Sequence, residues 1–150
     1  MHLEGSCHCK KVRFELESDL IWPFMWCHCS ICRKTAGAGF GCGIKCKKDA
    51  FRVTAGQDVV KVYRPMRMKR FFCPECGSHL WGHDDEWPDL LFPNAAAIDT
   101  ALPTPDRVVH VFVGSKSSWF EILHEGESHD EWPTLSMDEY HARFGWTPAP

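Results

Sequence analysis

Seven of the chain's nine cysteines fall in C-x-C or C-x-x-C spacings: Cys7 and Cys9, then Cys27, Cys29 and Cys32, then Cys73 and Cys76. Sulfurs this close in sequence turn toward a common point only if the backbone bends tightly between them. The spacing therefore dictates short turns at three places before any other structure is considered. The odd total rules out complete intrachain pairing, and this density in a chain without a secretion signal points to metal or catalysis rather than disulfides.

The most demanding of the three turns is C-P-E-C-G-S at Cys73 to Ser78. Two cysteines two residues apart, with Pro74 between them and Gly77 after them, make a knuckle that aims both sulfurs at one metal ion. A knuckle supplies two ligands and needs a second pair. Cys7/Cys9 and Cys27/Cys29 both qualify, and spacing alone does not choose. Only one division strands no sulfur. Cys7, Cys9, Cys73 and Cys76 close a four-thiolate zinc site, and Cys27, Cys29 and Cys32 remain as a complete three-ligand set. We prefer it for that reason.

A four-ligand site is structural, whereas three ligands leave a position for water or substrate. Three thiolates make zinc an electron-rich, weak Lewis acid toward water. They suit it to holding a soft substrate sulfur. The three-cysteine set is thus read as an open site for a thiol, with Cys27, Cys29 and Cys32 at the catalytic centre; the alternatives are a second structural zinc with a distant fourth ligand, such as a histidine, and a set of reduced thiols. Arg33 and Lys34 follow directly and are candidates to offset thiolate charge or to bind an anionic substrate group. His28 is interleaved but expected to point away. His79 and Lys116 are weaker candidates, a strand-capping histidine and a turn lysine being the ordinary readings. Cys42 and Cys46 would lie about 13 Å apart along an extended strand, too far for a disulfide, and are expected to be buried apolar groups.

Alternation and turn residues place these motifs in a mainly β chain. Lys11 to Glu17 alternates, as do Phe40 to Cys46. Further strands are expected at Ala50 to Val53, Val59 to Tyr63, Lys69 to Phe72, His79 to Gly82, Val108 to Val113 and Trp119 to Ile122. Ser30 to Ala36 predicts one or two helical turns ended by Gly37. S-M-D-E at Ser136 to Glu139 is a capping box that starts a helix running to Gly145. Trp132-Pro133 and Thr147-Pro148 mark turns. The aromatic run I-W-P-F-M-W before Cys27 is read as core in preference to an exposed docking patch.

The 150 residues and 44% hydrophobic content fit one zinc-binding domain over residues 1–150. The N-terminal M-H-L-E-G-S-C carries no apolar stretch, and no segment is long and apolar enough for a membrane span, so a cytoplasmic protein without a membrane partner is expected. The formal charge of −3, with dispersed Lys and Arg, argues against a nucleic-acid partner. Oligomeric state is not readable.

Three stretches resemble the glutathione-dependent formaldehyde-activating enzyme family, which includes the centromere protein V relatives. They are G-S-C-H-C, then C-H-C-S-I-C-R-K-T-A-G-A-G-F, then F-F-C-P-E-C-G-S-H-L-W. The order and spacing of all seven cysteines match, and D-A-F-R-V-T-A-G, V-Y-R and F-V-G-S-K-S-S-W-F-E-I are also similar, so the resemblance runs from about Gly5 to Pro133. It implies a β-tent zinc-binding fold. It implies two zinc ions per chain, one on Cys7, Cys9, Cys73 and Cys76 and one on Cys27, Cys29 and Cys32. The activity it implies joins formaldehyde to glutathione as S-hydroxymethylglutathione, classed as a carbon–sulfur lyase. The competing expectation is a non-enzymatic zinc module that binds a macromolecular partner.

Overall fold

The computed structural model describes residues 1–146; the turn expected at Thr147-Pro148 lies outside them. The chain is mainly β, with twelve short strands in three sheets and two α-helices among the described residues. β1 (His2–Ser6), β2 (Arg13–Glu17) and β6 (Phe51–Ala55) form an antiparallel sheet in that order. A second antiparallel sheet runs β5 (Cys46–Lys47), β10 (Leu90–Pro93), β9 (His79–His83), β8 (Lys69–Phe72), β7 (Lys61–Tyr63). The third runs β12 (Gly126–Ser128), β11 (Val108–Val111), β3 (Met25–Cys27), β4 (Gly41–Cys42).

The first core lies between the first two sheets. Phe14 and Leu16, the inward residues of the alternating R-F-E-L-E strand, are buried together with Leu3, Leu80, Trp81 and Leu91. Trp81 stacks on Phe71 at 5.2 Å and meets Phe51 and Phe14 at 4.9 and 5.7 Å. These aromatic contacts add to burial, and the one between Trp81 and Phe14 holds the β1–β2 hairpin against the β8–β9 hairpin.

The second core gathers Phe24, Met25, Val109, Val111 and Tyr140. Phe24 is fully buried and packs on Tyr140, His141, Phe144 and Trp146. The aromatic run before Cys27 is therefore core. The helix α2 (Met137–Phe144) that covers it has the expected Ser136/Glu139 capping box and ends at Gly145.

Several strand expectations need correction. The segment from Phe40 to Cys46 is not one strand. It breaks into β4 and β5, because Gly43 bridges to Asn94 while Cys42 pairs with Trp26 in a different sheet. Trp119 to Ile122 is not a strand; the late strand is β12, whose backbone pairs in parallel with β11. β11 also pairs in parallel with β3, so the third sheet is mixed. β11 stops at Val111 because Phe112 takes a left-handed conformation, φ 57°. No helix among the described residues is long and apolar enough to cross a membrane.

Candidate functional site

Two hairpin turns bring Cys7, Cys9, Cys73 and Cys76 together, with their sulfurs within 4.8 Å of one another. Cys7 to Val12 is the turn between β1 and β2. It is closed by Cys7 N–H to Val12 O at 3.0 Å and Lys10 N–H to Cys7 O at 2.9 Å, with Lys10 left-handed at φ 62°. The C-P-E-C-G-S turn between β8 and β9 is closed by Gly77 N–H to Cys73 O at 2.8 Å, and Gly77 has φ 75°, which an L side chain would strain.

The sulfur separations fit a metal. Cys7 to Cys9 is 3.5 Å and Cys9 to Cys73 is 3.8 Å. A tetrahedron with Zn–S bonds of about 2.3 Å has sulfur separations of about 3.8 Å. Backbone and hydroxyl donors point at these sulfurs. Val12 N–H donates to Cys7 Sγ at 3.2 Å, and Ser78 Oγ lies 3.3 Å from Cys76 Sγ. Burial opposes ionisation of Cys76, but Ser78 and the backbone amides of Cys9 and Ser78 outweigh it and bring the thiol down to about 5.

Cys27, Cys29 and Cys32 form a second group, also with sulfurs within 4.8 Å of one another. Among the described residues no fourth cysteine, histidine or carboxylate joins it. The chain leaves the third sheet at Cys27, the last residue of β3, and enters α1 (Ser30–Ala36) three residues later. Cys29 is the N-cap of α1, and its sulfur accepts the Cys32 N–H at 3.4 Å. Hydrogen bonds from the Cys27 and Cys32 thiols, aided by the Cys32 and Ile31 amides, bring Cys29 down to about 2. Cys27 is correspondingly raised, because its thiol is held by hydrogen bonds to Cys29 and then to Cys32, with burial adding to them. The amides at the helix start thus add to the neighbouring thiols in favouring an anionic sulfur at Cys29.

His28, fully buried, turns away from these sulfurs. Its Nε2 lies 3.0 Å from His110 Nδ1, and His110 Nε2 lies 2.9 Å from the His124 carbonyl. Arg33 braces the start of α1. Nε donates to His28 O at 3.0 Å, Nη1 to Ser117 Oγ at 2.6 Å and Nη2 to Ser115 O at 3.2 Å. Lys34 is exposed. Arg33 and Lys34 line a groove of about 220 Å³ with Gly37, Ala38, Ser117 and Trp119. Lys116 donates to Phe120 O at 2.9 Å and so holds its own loop. His79 Nε2 bonds Trp81 O at 3.2 Å, and burial together with the Arg70 charge lowers its pKa to about 4.

Two neighbours of the three-cysteine group went unread in the sequence. Arg70, on β8, donates from Nη2 to Cys32 Sγ at 3.3 Å. Cys42 is pushed up to about 12 by burial, and then by the nearby charge of Cys32. Neither carries a local signal, since both contacts are made by sheet packing. Cys46, also pushed to about 12 by burial, is an inert core thiol.

Comparison with known proteins places this arrangement. The sequence model described as "Glutathione-dependent formaldehyde-activating enzyme" matches residues 2–115, which include both cysteine groups. A relative from Halomonas elongata, named "Putative glutathione-dependent formaldehyde-activating enzyme", is 42% identical over 97% of this chain and 98% of its own. A crystal structure of a Rhodobacter sphaeroides protein superposes with a TM-score of 0.57 at 26% identity, covering 67% of this chain and 91% of that one. With the match spanning most of the sequence, and a relative aligned over nearly the whole of both chains, the protein belongs to the glutathione-dependent formaldehyde-activating enzyme family.

Proposed function

We propose that this chain is a zinc-dependent enzyme of the carbon–sulfur lyase type, which joins formaldehyde to glutathione and releases S-hydroxymethylglutathione. The observation that carries this reading is the inequality of the two sulfur groups, four in one and three in the other. The four are read as a structural site and the three as the reaction site. Cys27, Cys29 and Cys32 would hold the reactive zinc, and Cys7, Cys9, Cys73 and Cys76 the other. Zinc held by these three thiolates would supply Lewis acidity suited to a soft substrate sulfur.

The reaction is an addition. The glutathione sulfur forms a bond to the formaldehyde carbon, the carbonyl π bond opens, and the thiol proton ends on the new hydroxyl oxygen. Nothing is oxidised or reduced. The reverse direction cleaves the same carbon–sulfur bond. The chain's part is to hold and orient. Arg33 ties α1 to the Ser115–Ser117 turn beside the groove. Lys34, exposed on that groove, is the cation free to meet a glutathione carboxylate, with Trp119 as its apolar wall. A cytoplasmic location suits this reading, because reduced glutathione is maintained there.

The test is formaldehyde loss followed by NMR, with and without glutathione and with and without protein. Protein-dependent acceleration that requires the thiol is the expected result. Equal rates with and without protein defeat the proposal.

A further inference from the structure

Arg70 sits on β8, paired across the sheet with Tyr63 and Gly82. Its Nη2 donates to Cys32 Sγ over 3.3 Å, 38 residues away in sequence. Its Nε is buried without a hydrogen-bond partner. A strand position that needed only packing would be served better by an apolar side chain, since an unpaired buried N–H destabilises the fold. Three residues further along the same chain is Cys73, a member of the four-sulfur group. β8 is therefore anchored near one sulfur group while it lays a cation on the other.

We infer that Arg70 is a positioning residue for the three-cysteine site, binding Cys32 and cancelling the charge that three thiolates leave in excess over a divalent ion. One negative charge remains uncompensated in such a set, and one guanidinium offsets it. Hydrogen bonding to Cys32 also fixes the direction of that sulfur. The inference deepens the functional reading and rests on its assignment of a metal ion to Cys27, Cys29 and Cys32. It does not depend on which thiol is the substrate.

The experiment compares wild type, Arg70→Lys, Arg70→Gln and Arg70→Met, each loaded with zinc(II) and titrated with a competing chelator. Zinc release is read by a chromophoric indicator, and cobalt(II) substitution reports sulfur coordination. In wild type two ions are expected, one released before the other. In Arg70→Gln and Arg70→Met the weaker ion should be lost at about 10-fold to 100-fold lower chelator, as for other residues that orient metal ligands. Arg70→Lys should recover part of the loss, and the tighter ion should stay unchanged throughout.

Unchanged release in all variants overturns the inference, as does joint loss of both ions, which would make Arg70 a fold residue. Wild type holding one ion overturns it together with the metal assignment. Normal zinc retention with a raised KM for glutathione, but not for 2-mercaptoethanol, also overturns it and makes Arg70 a carboxylate anchor. Arg70-dependent retention without thiol-dependent formaldehyde loss in wild type leaves the inference standing and removes only the proposed reaction.

Discussion

Arg33 and Ser117, 84 residues apart, are joined by a 2.6 Å hydrogen bond from Nη1 to Oγ. The same guanidinium holds His28 O and Ser115 O. It therefore binds α1 to the loop after β11 through two acceptors, and to the turn that precedes α1 through a third.

A lysine cannot reproduce that fork. Arg33→Lys is expected to cost about 1–2 kcal/mol, roughly a 3–6 °C fall in Tm. Lys34→Ala, at an exposed position, should leave Tm within about 1 °C and raise KM for glutathione several-fold. Thermal melts and glutathione kinetics separate the two roles. If Arg33→Lys melts like wild type while its KM rises, the guanidinium serves substrate rather than the fold.

The two sulfur groups should respond differently to loss of one ligand. Cys73→Ser breaks a site that joins two sheets, and we expect at least about 3 kcal/mol of destabilisation, roughly 10 °C in Tm. Cys29→Ser should abolish thiol-dependent formaldehyde loss with a much smaller shift in Tm. Differential scanning calorimetry beside the NMR assay reads both. Equal destabilisation by the two variants would mean that both sites are structural.

Gly39 is covered by the Phe120 ring, and a Cβ there would lie 2.1 Å from Phe120 Cδ2. Gly39→Ala must push the ring aside, at an expected cost of about 1–3 kcal/mol. Adding Phe120→Ala should return part of that loss, since it removes the obstacle. A double-mutant cycle in urea measures the coupling. Independent, additive effects would show that the loop swings away without resistance.

Stability should fall in mild acid through buried histidines. Burial, then the Arg70 charge, holds His79 at about 4, and burial lowers His141, whose Nε2 has no partner. Both are neutral in the fold at pH 7, whereas an unfolded histidine titrates near 6.5. The unfolded chain thus binds more protons below that pH. Their contribution is intact above about pH 6.5 and declines from there toward pH 4. Urea melts from pH 8 to 4.5 should show the decline, shallower in His79→Gln. A pH dependence identical in wild type and His79→Gln would remove His79 from this account.

Local chemistry was readable residue by residue. α1 spans Ser30–Ala36 and stops at Gly37, as its cap residues require, and the Ser136 capping box starts α2. The R-F-E-L-E alternation makes β2, and the cysteine spacing makes both hairpin turns. β3 and β10 escaped because M-W-C and L-L-F-P are too short or too uniformly apolar to show a period. Gly43 divides β4 from β5 by pairing with Asn94, a partner 51 positions away that no window on the sequence contains.

Sequence alone determined the number and spacing of the sulfurs, and hence the turns that aim them, because those depend on neighbours within a few residues. Which sulfurs meet was decided by tertiary structure, through Trp81 on Phe14 holding the β1–β2 hairpin against the β8–β9 hairpin. The same packing set Arg70 against Cys32 and committed Arg33 to the Ser117 loop. Contacts of that kind follow from where sheets come to rest, and side chains brought together across 38 or 84 residues leave no pattern along the chain.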